Sequence, residues 1–353
     1  MINKLLEVIT PQYDAALIIS PVNRRYFTSF DSSDGFLIVS EKESVFFTDG
    51  RYIEAAQKTV TVCDCVEAVK PYEQIREYFN KIGAKRIAVE GSKLTVAQYE
   101  RLKERLPEFE FFADKTLDLG LDGLRRVKTA KELEFIKAAQ KTAEDAFQHI
   151  LTVIKEGVTE RELALELDFY MLKAGAEELS FKTIAVSGAN SSMPHGVPSD
   201  KKLQKGDMIT LDFGAVCEGY HSDMTRTVVL GKANSEQKKV YNTVLKAQNE
   251  CLSMLRAGVK CSDADKAARS VIEKAGYGDF FSHSTGHGVG LEIHEEPRLS
   301  SLVNDVLKSG NVVTVEPGIY IPGKFGVRIE DMAYITDDGI INLTSSPKEL
   351  IEL

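Results

Sequence analysis

The 353-residue chain repeats part of itself, and that duplication limits its fold more than any other feature. Gly157-Val158 recurs as Gly258-Val259, and Lys173-Ala174-Gly175 recurs at the same offset as Lys274-Ala275-Gly276. In each copy a long helical pattern precedes Gly-Val and a second helix follows, closed by Ala-Gly with a residue suited to a left-handed C-cap. A hairpin signal comes next, GDMITLD ending at Asp212 in the first copy and GNVVTVE ending at Glu316 in the second. The order helix, helix, acid-bearing hairpin predicts two α+β halves related by a pseudo-two-fold, with Asp212 and Glu316 in matching places.

The hairpins place acids where acids are costly. LDFGAVCEGYHSDMTRT, residues 211–227, sets Asp212 and Asp223 into an apolar, strand-like stretch. With Glu218 and Gly219 as a two-residue turn, Cys217 faces Tyr220, Asp212 faces Thr225 and Asp223 faces Gly214. Partners across a pair share a side, so the aspartates become diagonal neighbours with Cβ atoms about 7 Å apart. In the second half Glu316 of VVTVEPGIY and Glu330 of FGVRIEDMAYIT flank a turn at Pro322-Gly323-Lys324. With Gly323 at its centre, Glu316 faces Glu330. Buried carboxylates repel one another and lose their water, a cost that cations offset. Four of them ask for about two divalent ions.

Five of the six histidines lie between residues 195 and 294: His195 in SSMPHGVPSD, His221 beside Asp223, and His283, His287 and His294 in FSHSTGHGVGLEIHEEP. Glycines on both sides of His287 allow close backbone approach, which marks it as a metal or catalytic residue. His294 has the opposite strand parity and is expected to serve a different face or partner. Carboxylate-rich ligation with one imidazole suits manganese, cobalt, zinc or iron over a thiolate-selected metal. Four acids and one His supply too few donors for two separate sites unless carboxylates bridge. That implies a pair of ions about 3.5 to 4 Å apart, sharing a water made nucleophilic at neutral pH.

The first ~120 residues alternate strand and helix signals, from AALIIS through DGFLIVS, SVFFTD, YIEAAQKTV, TVTVCDCVEAV, PYEQIREYFNKIG and RIAVE to VAQYERLKERL, and read as a small α/β domain. DKTLDLGLDGLRRVK leads into a capping box, Thr129 with Glu132, which places the junction near residues 121 to 128 and the domains at 1–123 and 124–353. A hydrophobic content of 43% supplies a core for each. Acids outnumber bases 53 to 44, a net charge of -9, which argues against nucleic acid or an anionic membrane as main partner. No apolar run approaches the roughly 20 residues of a membrane span, and MINKLLEVIT lacks signal-peptide character, so a cytoplasmic protein is expected. Five scattered cysteines without Cys-x-x-Cys spacing indicate neither a disulfide frame nor a thiolate zinc site.

At these residues the chain resembles the pita-bread metallopeptidases, the group of prolidase (Xaa-Pro dipeptidase) and aminopeptidase P, with methionine aminopeptidase more distant. LDFGAVCEGYHSDMTRT, STGHGVGLEIHE, VVTVEPGIY and VRIED stand in that family's order, and the resemblance extends over essentially the whole chain, including a creatinase-like N-terminal domain that begins ISPVNRRYFTSF. The resemblance implies that Asp212, Asp223, His287, Glu316 and Glu330 are metal ligands, with Asp223 and Glu330 bridging. It implies that His195, His283 and His294 line the substrate site and position or protonate the tetrahedral intermediate, and that Tyr320 and Arg328 stand at supporting and substrate-binding positions. A homodimer is implied as well.

The function expected is hydrolysis of the peptide bond preceding proline in small peptides, with Glu316 as general base, His294 stabilising the oxyanion, and two divalent ions, manganese or cobalt first, as cofactors. A prolyl nitrogen carries no amide hydrogen, so a dedicated site is chemically sensible. The short N-terminal domain favours an Xaa-Pro dipeptidase, with aminopeptidase P acting on longer peptides as the alternative. A non-catalytic peptide-binding module of the same fold would be expected to lose ligands. Creatinase-type chemistry without metal is disfavoured by the same intact set, and a two-metal phosphatase fits the ligand types but not the motif order.

Overall fold

The structure is a computed structural model that describes residues 2–10 and 12–353. The chain divides into two compact units, Met1–Arg125 and Arg126–Leu353.

The first unit runs α1 (Ile2–Ile9), β1 (Ala15–Ile18), α2 (Pro21–Thr28), β2 (Phe36–Ser40), β3 (Ser44–Thr48), α3 (Ile53–Thr59), β4 (Asp64–Glu67), α4 (Pro71–Ile82), β5 (Arg86–Val89), α5 (Val96–Arg105), β6 (Glu110–Phe112) and α6 (Lys115–Arg126), whose last residue falls in the second unit. Its strands form one mixed sheet in the order β4-β3-β2-β1-β5-β6. Three helices depart from the sequence reading. In α2 the Ser20 side chain caps the Asn23 N–H and Pro21 follows it, but Asn23 and Arg24 are buried, so no apolar stripe announces the helix. The lead-in DKTLDLGLDGLRRVK is itself helical as α6, burying Leu117 and Leu121 despite Gly120 and Gly123. Helix α1, within MINKLLEVIT, is a further departure. Of TVTVCDCVEAV only Asp64–Glu67 pairs, at the sheet edge.

The second unit shows the duplication directly. One half holds α7 (Ala130–Val153), α8 (Glu160–Lys173), β7 (Ile184–Ser187), β8 (Met208–Phe213), β9 (Val216–Cys217), β10 (Tyr220–His221) and β11 (Met224–Val229). The other holds α9 (Ser235–Met254), α10 (Cys261–Lys274), β12 (Gly286–Gly288), β13 (Glu295–Leu299), β14 (Val312–Val315), β15 (Gly318–Ile321), β16 (Phe325–Arg328), β17 (Asp331–Ile335) and β18 (Ile340–Asn342). The triplet β7-β8-β11 matches β12-β14-β17 within the longer sheet. Gly157 and Gly258 share the same φ of 89°, and Gly206 and Gly310 have φ of 92° and 93°, so the repeated residues make repeated turns. Capping boxes at Thr129–Glu132 and Thr159–Glu162 open the helices of the first half.

Strand alternation then sorts the side chains. Leu211 and Phe213 pack with Phe147, Ile150, Leu163 and Leu167, which turns Asp212 between them to the opposite face. Val313 and Val315 pack with Val244, Ala247, Cys251 and Ala268, which turns out Thr314. Cys251 and Cys261 are buried and all five thiols are free. No described helix is long and apolar enough to cross a membrane.

The approach of β12 to β14 leaves no room for a side chain: a Cβ on Gly286 would lie 1.9 Å from the Thr314 carbonyl oxygen. Gly286→Ala is therefore expected to cost about 1–3 kcal/mol in urea unfolding. Gly123→Ala, in the α6 helix with nothing within 4 Å of the added carbon, is expected to stabilise by about 0.4–1 kcal/mol. Equal effects at the two positions would remove the packing argument.

Candidate metal and active site

Both hairpins adopt the registers expected from their turns. Cys217 pairs with Tyr220 and Asp212 with Thr225, while Gly318 pairs with Arg328 and Val315 with Asp331. Asp223 sits in the break between β10 and β11, Glu316 follows β14, and Glu330 lies between β16 and β17. The threonines of the Thr225-Arg226-Thr227 run join the two halves. Thr225 Oγ1 donates to Glu330 Oε2 at 2.6 Å and the Glu330 N–H donates to the Thr225 carbonyl. Thr227 Oγ1 donates to the Arg328 carbonyl at 2.9 Å. Thr225 was placed opposite Asp212 by the sequence, but its bond to the other half had no sequence signal.

Asp223, His287 and Glu330 present ligand atoms all within 4.8 Å of one another. His287 Nε2 lies 3.5 Å from both Asp223 Oδ2 and Glu316 Oε1. The other ring nitrogen, Nδ1, lies 3.0 Å from the Gly288 carbonyl, which accepts its N–H and so leaves Nε2 with its lone pair free. Burial pushes the His287 imidazolium down to about 4, so the ring is neutral at physiological pH. Burial, then the charges of Glu330, Asp212 and Glu316, holds the Asp223 carboxyl well above its ordinary range. Burial raises Glu330 likewise, and pushes Glu316 up to about 8. Asp212 Oδ1 is buried with no hydrogen-bond partner among the described residues. An orphaned carboxylate oxygen, three acids that resist ionising and a neutral imidazole aimed at them fit divalent cations.

A polar chain supports this cluster from one side. Arg328 donates from Nη2 to Asp212 Oδ2, from Nη1 to the Tyr320 hydroxyl at 2.9 Å and to the Pro194 carbonyl at 3.3 Å, and from Nε to Thr225 Oγ1 at 3.1 Å. The Tyr320 hydroxyl in turn meets His283 Nε2 at 2.8 Å, and His283 Nδ1 meets the Ser284 carbonyl. Burial lowers His283 to about 4. Of the two residues expected at the substrate site, Arg328 lines the cavity over the acids while it binds Asp212, and the Tyr320 hydroxyl is shared between His283 and Arg328.

A cavity of about 310 Å³ opens over the acids, lined by His195, His283, His287 and His294 together with Asp212, Asp223, Glu316 and Glu330. His294 belongs to the same site as His287, against the parity expectation: the rings stand edge to face at 4.4 Å. Parity fails because β12 ends at Gly288 and the chain bends before β13 begins at Glu295. His221 is half-buried beside the cluster and donates its backbone N–H to the Gly290 carbonyl. Phe181, Ile184, Ile293 and Arg298 also line the cavity; Phe181, Ile184 and Arg298 belong to no motif in the sequence, and Ile293 is the residue before His294.

Residues 134–337 match the family described as metallopeptidase family M24, and residues 4–118 match the creatinase/prolidase N-terminal domain. This chain belongs to metallopeptidase family M24. It is 39% identical to an Xaa-Pro dipeptidase of Pyrococcus furiosus over 96% of this chain and 95% of that one. A solved Xaa-Pro dipeptidase from Bacillus anthracis superposes with a TM-score of 0.96 at 41% identity, covering 100% of this chain and 99% of the other. An X-Pro aminopeptidase from Thermotoga maritima superposes at 0.92 with 36% identity, covering 97% and 98%. The fold is the creatinase-like domain followed by the pita-bread catalytic domain, and the protein is a metallopeptidase of the Xaa-Pro dipeptidase and aminopeptidase P group, a family that implies divalent metal ions.

The crowded acids make stability depend on pH in the metal-stripped protein. A carboxyl whose folded pKa is raised binds more protons folded than unfolded, so its contribution is present below the ordinary carboxylate range and is lost as pH rises toward the raised value. His283 and His287 act the opposite way, but only below their ordinary value of 6.5. Between about pH 6.5 and 8 the carboxyls act alone. Urea unfolding of metal-stripped protein should show stability falling across that window, with a shallower fall in Asp223→Asn and recovery on adding a divalent cation. A flat profile shared by both proteins would refute the electrostatic account.

Proposed function

We propose that this M24 enzyme is an Xaa-Pro dipeptidase that uses two divalent ions held by Asp212, Asp223, His287, Glu316 and Glu330. The observation that carries the reading is the convergence of the four acids and neutral His287 beneath one small cavity rimmed by His195, His283 and His294. Full-length likeness to proteins named Xaa-Pro dipeptidase supports the substrate. Manganese or cobalt suits the oxygen-rich donor set, and a homodimer in the cytoplasm remains the expected setting.

When bound, the ions supply Lewis acidity toward the scissile carbonyl and a more acidic water. The residues do the rest. Glu316 takes the proton of the attacking water and returns it to the departing prolyl nitrogen, which lacks a hydrogen of its own. The rings of His294 and His195 face the cavity, where an N–H stabilises the carbonyl oxygen as it gains charge. Tyr320 fixes the His283 ring, and Arg328 occupies one oxygen of Asp212 while the other stays without a hydrogen-bond partner. The cavity of about 310 Å³ suits a short peptide end.

The likeness to an X-Pro aminopeptidase supports one alternative, release of the first residue from longer peptides. Stripped protein reloaded with manganese, cobalt or zinc should cleave an Xaa-Pro dipeptide faster than the matching tripeptide; the reverse preference would move the assignment to the aminopeptidase. With metal content unchanged, His294→Ala is expected to lower kcat by about 10²–10³. Wild-type kcat in that variant would remove His294 from the reaction.

A further inference from the structure

The loop that carries His195 is tied down by a carboxylate that the mechanism does not use. Glu160, the first residue of α8, is fully buried. Its Oε1 accepts from the Ser187 N–H at 2.7 Å and the Ser187 hydroxyl at 2.9 Å, and its Oε2 accepts from the Ser199 N–H at 3.1 Å and the Ser199 hydroxyl at 2.6 Å. Asn190 Nδ2 donates to both oxygens at 3.1 Å. The backbone adds the Glu160 N–H to the Lys201 carbonyl and the Arg161 N–H to the Ser199 carbonyl. One side chain therefore grips residues 187, 190 and 199, which flank the exposed His195, and the helix N-terminus favours its negative charge.

Lys201 Nζ adds a bond to the Ser187 hydroxyl at 2.8 Å, and Asn190 Nδ2 one to Ser199 Oγ at 3.4 Å. Met193 is 50% exposed and Val197 is 80% exposed, so apolar packing contributes little on the loop's outer side. The inner side meets the second half through Gly326 N–H to Ser191 Oγ at 2.9 Å and Arg328 to the Pro194 carbonyl. The second half has a comparable device. Buried Asp265 on α10 accepts from the Thr285 N–H and hydroxyl and from Arg269, which donates to the His283 carbonyl at 2.8 Å. In both halves a carboxylate from the second helix anchors the segment that brings a histidine to the cavity.

We propose that Glu160 is a positioning residue for peptide hydrolysis, fixing the loop 187–199 so that His195 meets the substrate. The inference rests on the reading of His195 as a substrate-contacting residue. A carboxylate whose lone pairs all face donors leaves no substitute of equal geometry: Gln keeps the shape but turns an NH₂ toward groups that also donate.

The test is a double-mutant cycle in the full-length, metal-loaded enzyme on an Xaa-Pro dipeptide, with hydrogen exchange of the metal-stripped proteins alongside. His195→Ala should lower kcat/KM by at least about tenfold. Glu160→Ala should lower it by about 10- to 100-fold in the wild-type background and by less than about threefold when His195 is already Ala, since the loss acts through that ring. Glu160→Gln should fall between. Exchange should rise in 187–199 and stay unchanged in β8 and β14, with metal content equal to wild type. If Glu160→Ala does not fold, Glu160→Gln and Ser199→Ala carry the same cycle. Additive losses, or exchange in 187–199 equal to wild type, would overturn the positioning role. Full activity of His195→Ala would overturn the reading of His195 beneath it, a failure told apart by exchange that still rises in the Glu160 variants.

Discussion

Four carboxylates held face to face are the constraint on which the rest of this structure depends. Asp212, Asp223, Glu316 and Glu330 could not share one pocket as anions without something positive between them. Arg328 answers part of that need by binding one oxygen of Asp212, and leaves the other oxygen without a partner. The remaining imbalance shows in the direction of the shifts: Asp223, Glu330 and Glu316 are all pushed toward their neutral forms. A site that holds protons reluctantly given up is a site that divalent cations can claim, because each cation replaces protons and removes repulsion in one step.

The backbone is arranged to keep this costly group from relaxing. Every acid lies on a hairpin whose opposite face is packed under helices, so a residue cannot turn away without exposing Leu211, Phe213, Val313 or Val315. Thr225 and Thr227 bond the two hairpins to each other, which couples the position of Glu330 to that of Asp212 through a single strand pair. The histidines are held by their own backbone contacts. Nδ1 of His287 is spent on Gly288 and Nδ1 of His283 on Ser284, which sets the tautomer and leaves Nε2 for chemistry or for Tyr320.

Much of this was legible because hairpin registers follow from turns. Glu218 and Gly219 take φ of 51° and 81°, the conformation a two-residue turn between right-twisted strands requires, and once that turn is placed every cross-strand partner of Asp212 follows. Gly323, with φ of 72°, does the same for the second hairpin. The helices α2 and α6 escaped because their buried positions include Asn23, Arg24 and Arg125, which break the apolar stripe that periodicity depends on. His294 was misplaced because parity holds only while a strand continues. The side-chain partners of Glu160 lie 27 to 39 residues further along the chain, and no local pattern records them.

The duplication explains why the site needs both halves. Each half supplies a helix pair, a sheet and two acids, and each acid pair by itself would be a surface charge cluster that water could solvate. Bringing the halves together buries both pairs at once, so the packing that closes the two cores, around Phe147 in one and Val244 in the other, also creates the electrostatic problem on the opposite face of the hairpins. A cation that binds only the closed arrangement stabilises it by mass action. Metal affinity and the stability of the catalytic unit are then two measures of one equilibrium, and a substitution that loosens either half, even far from the acids, should appear first as weaker metal binding.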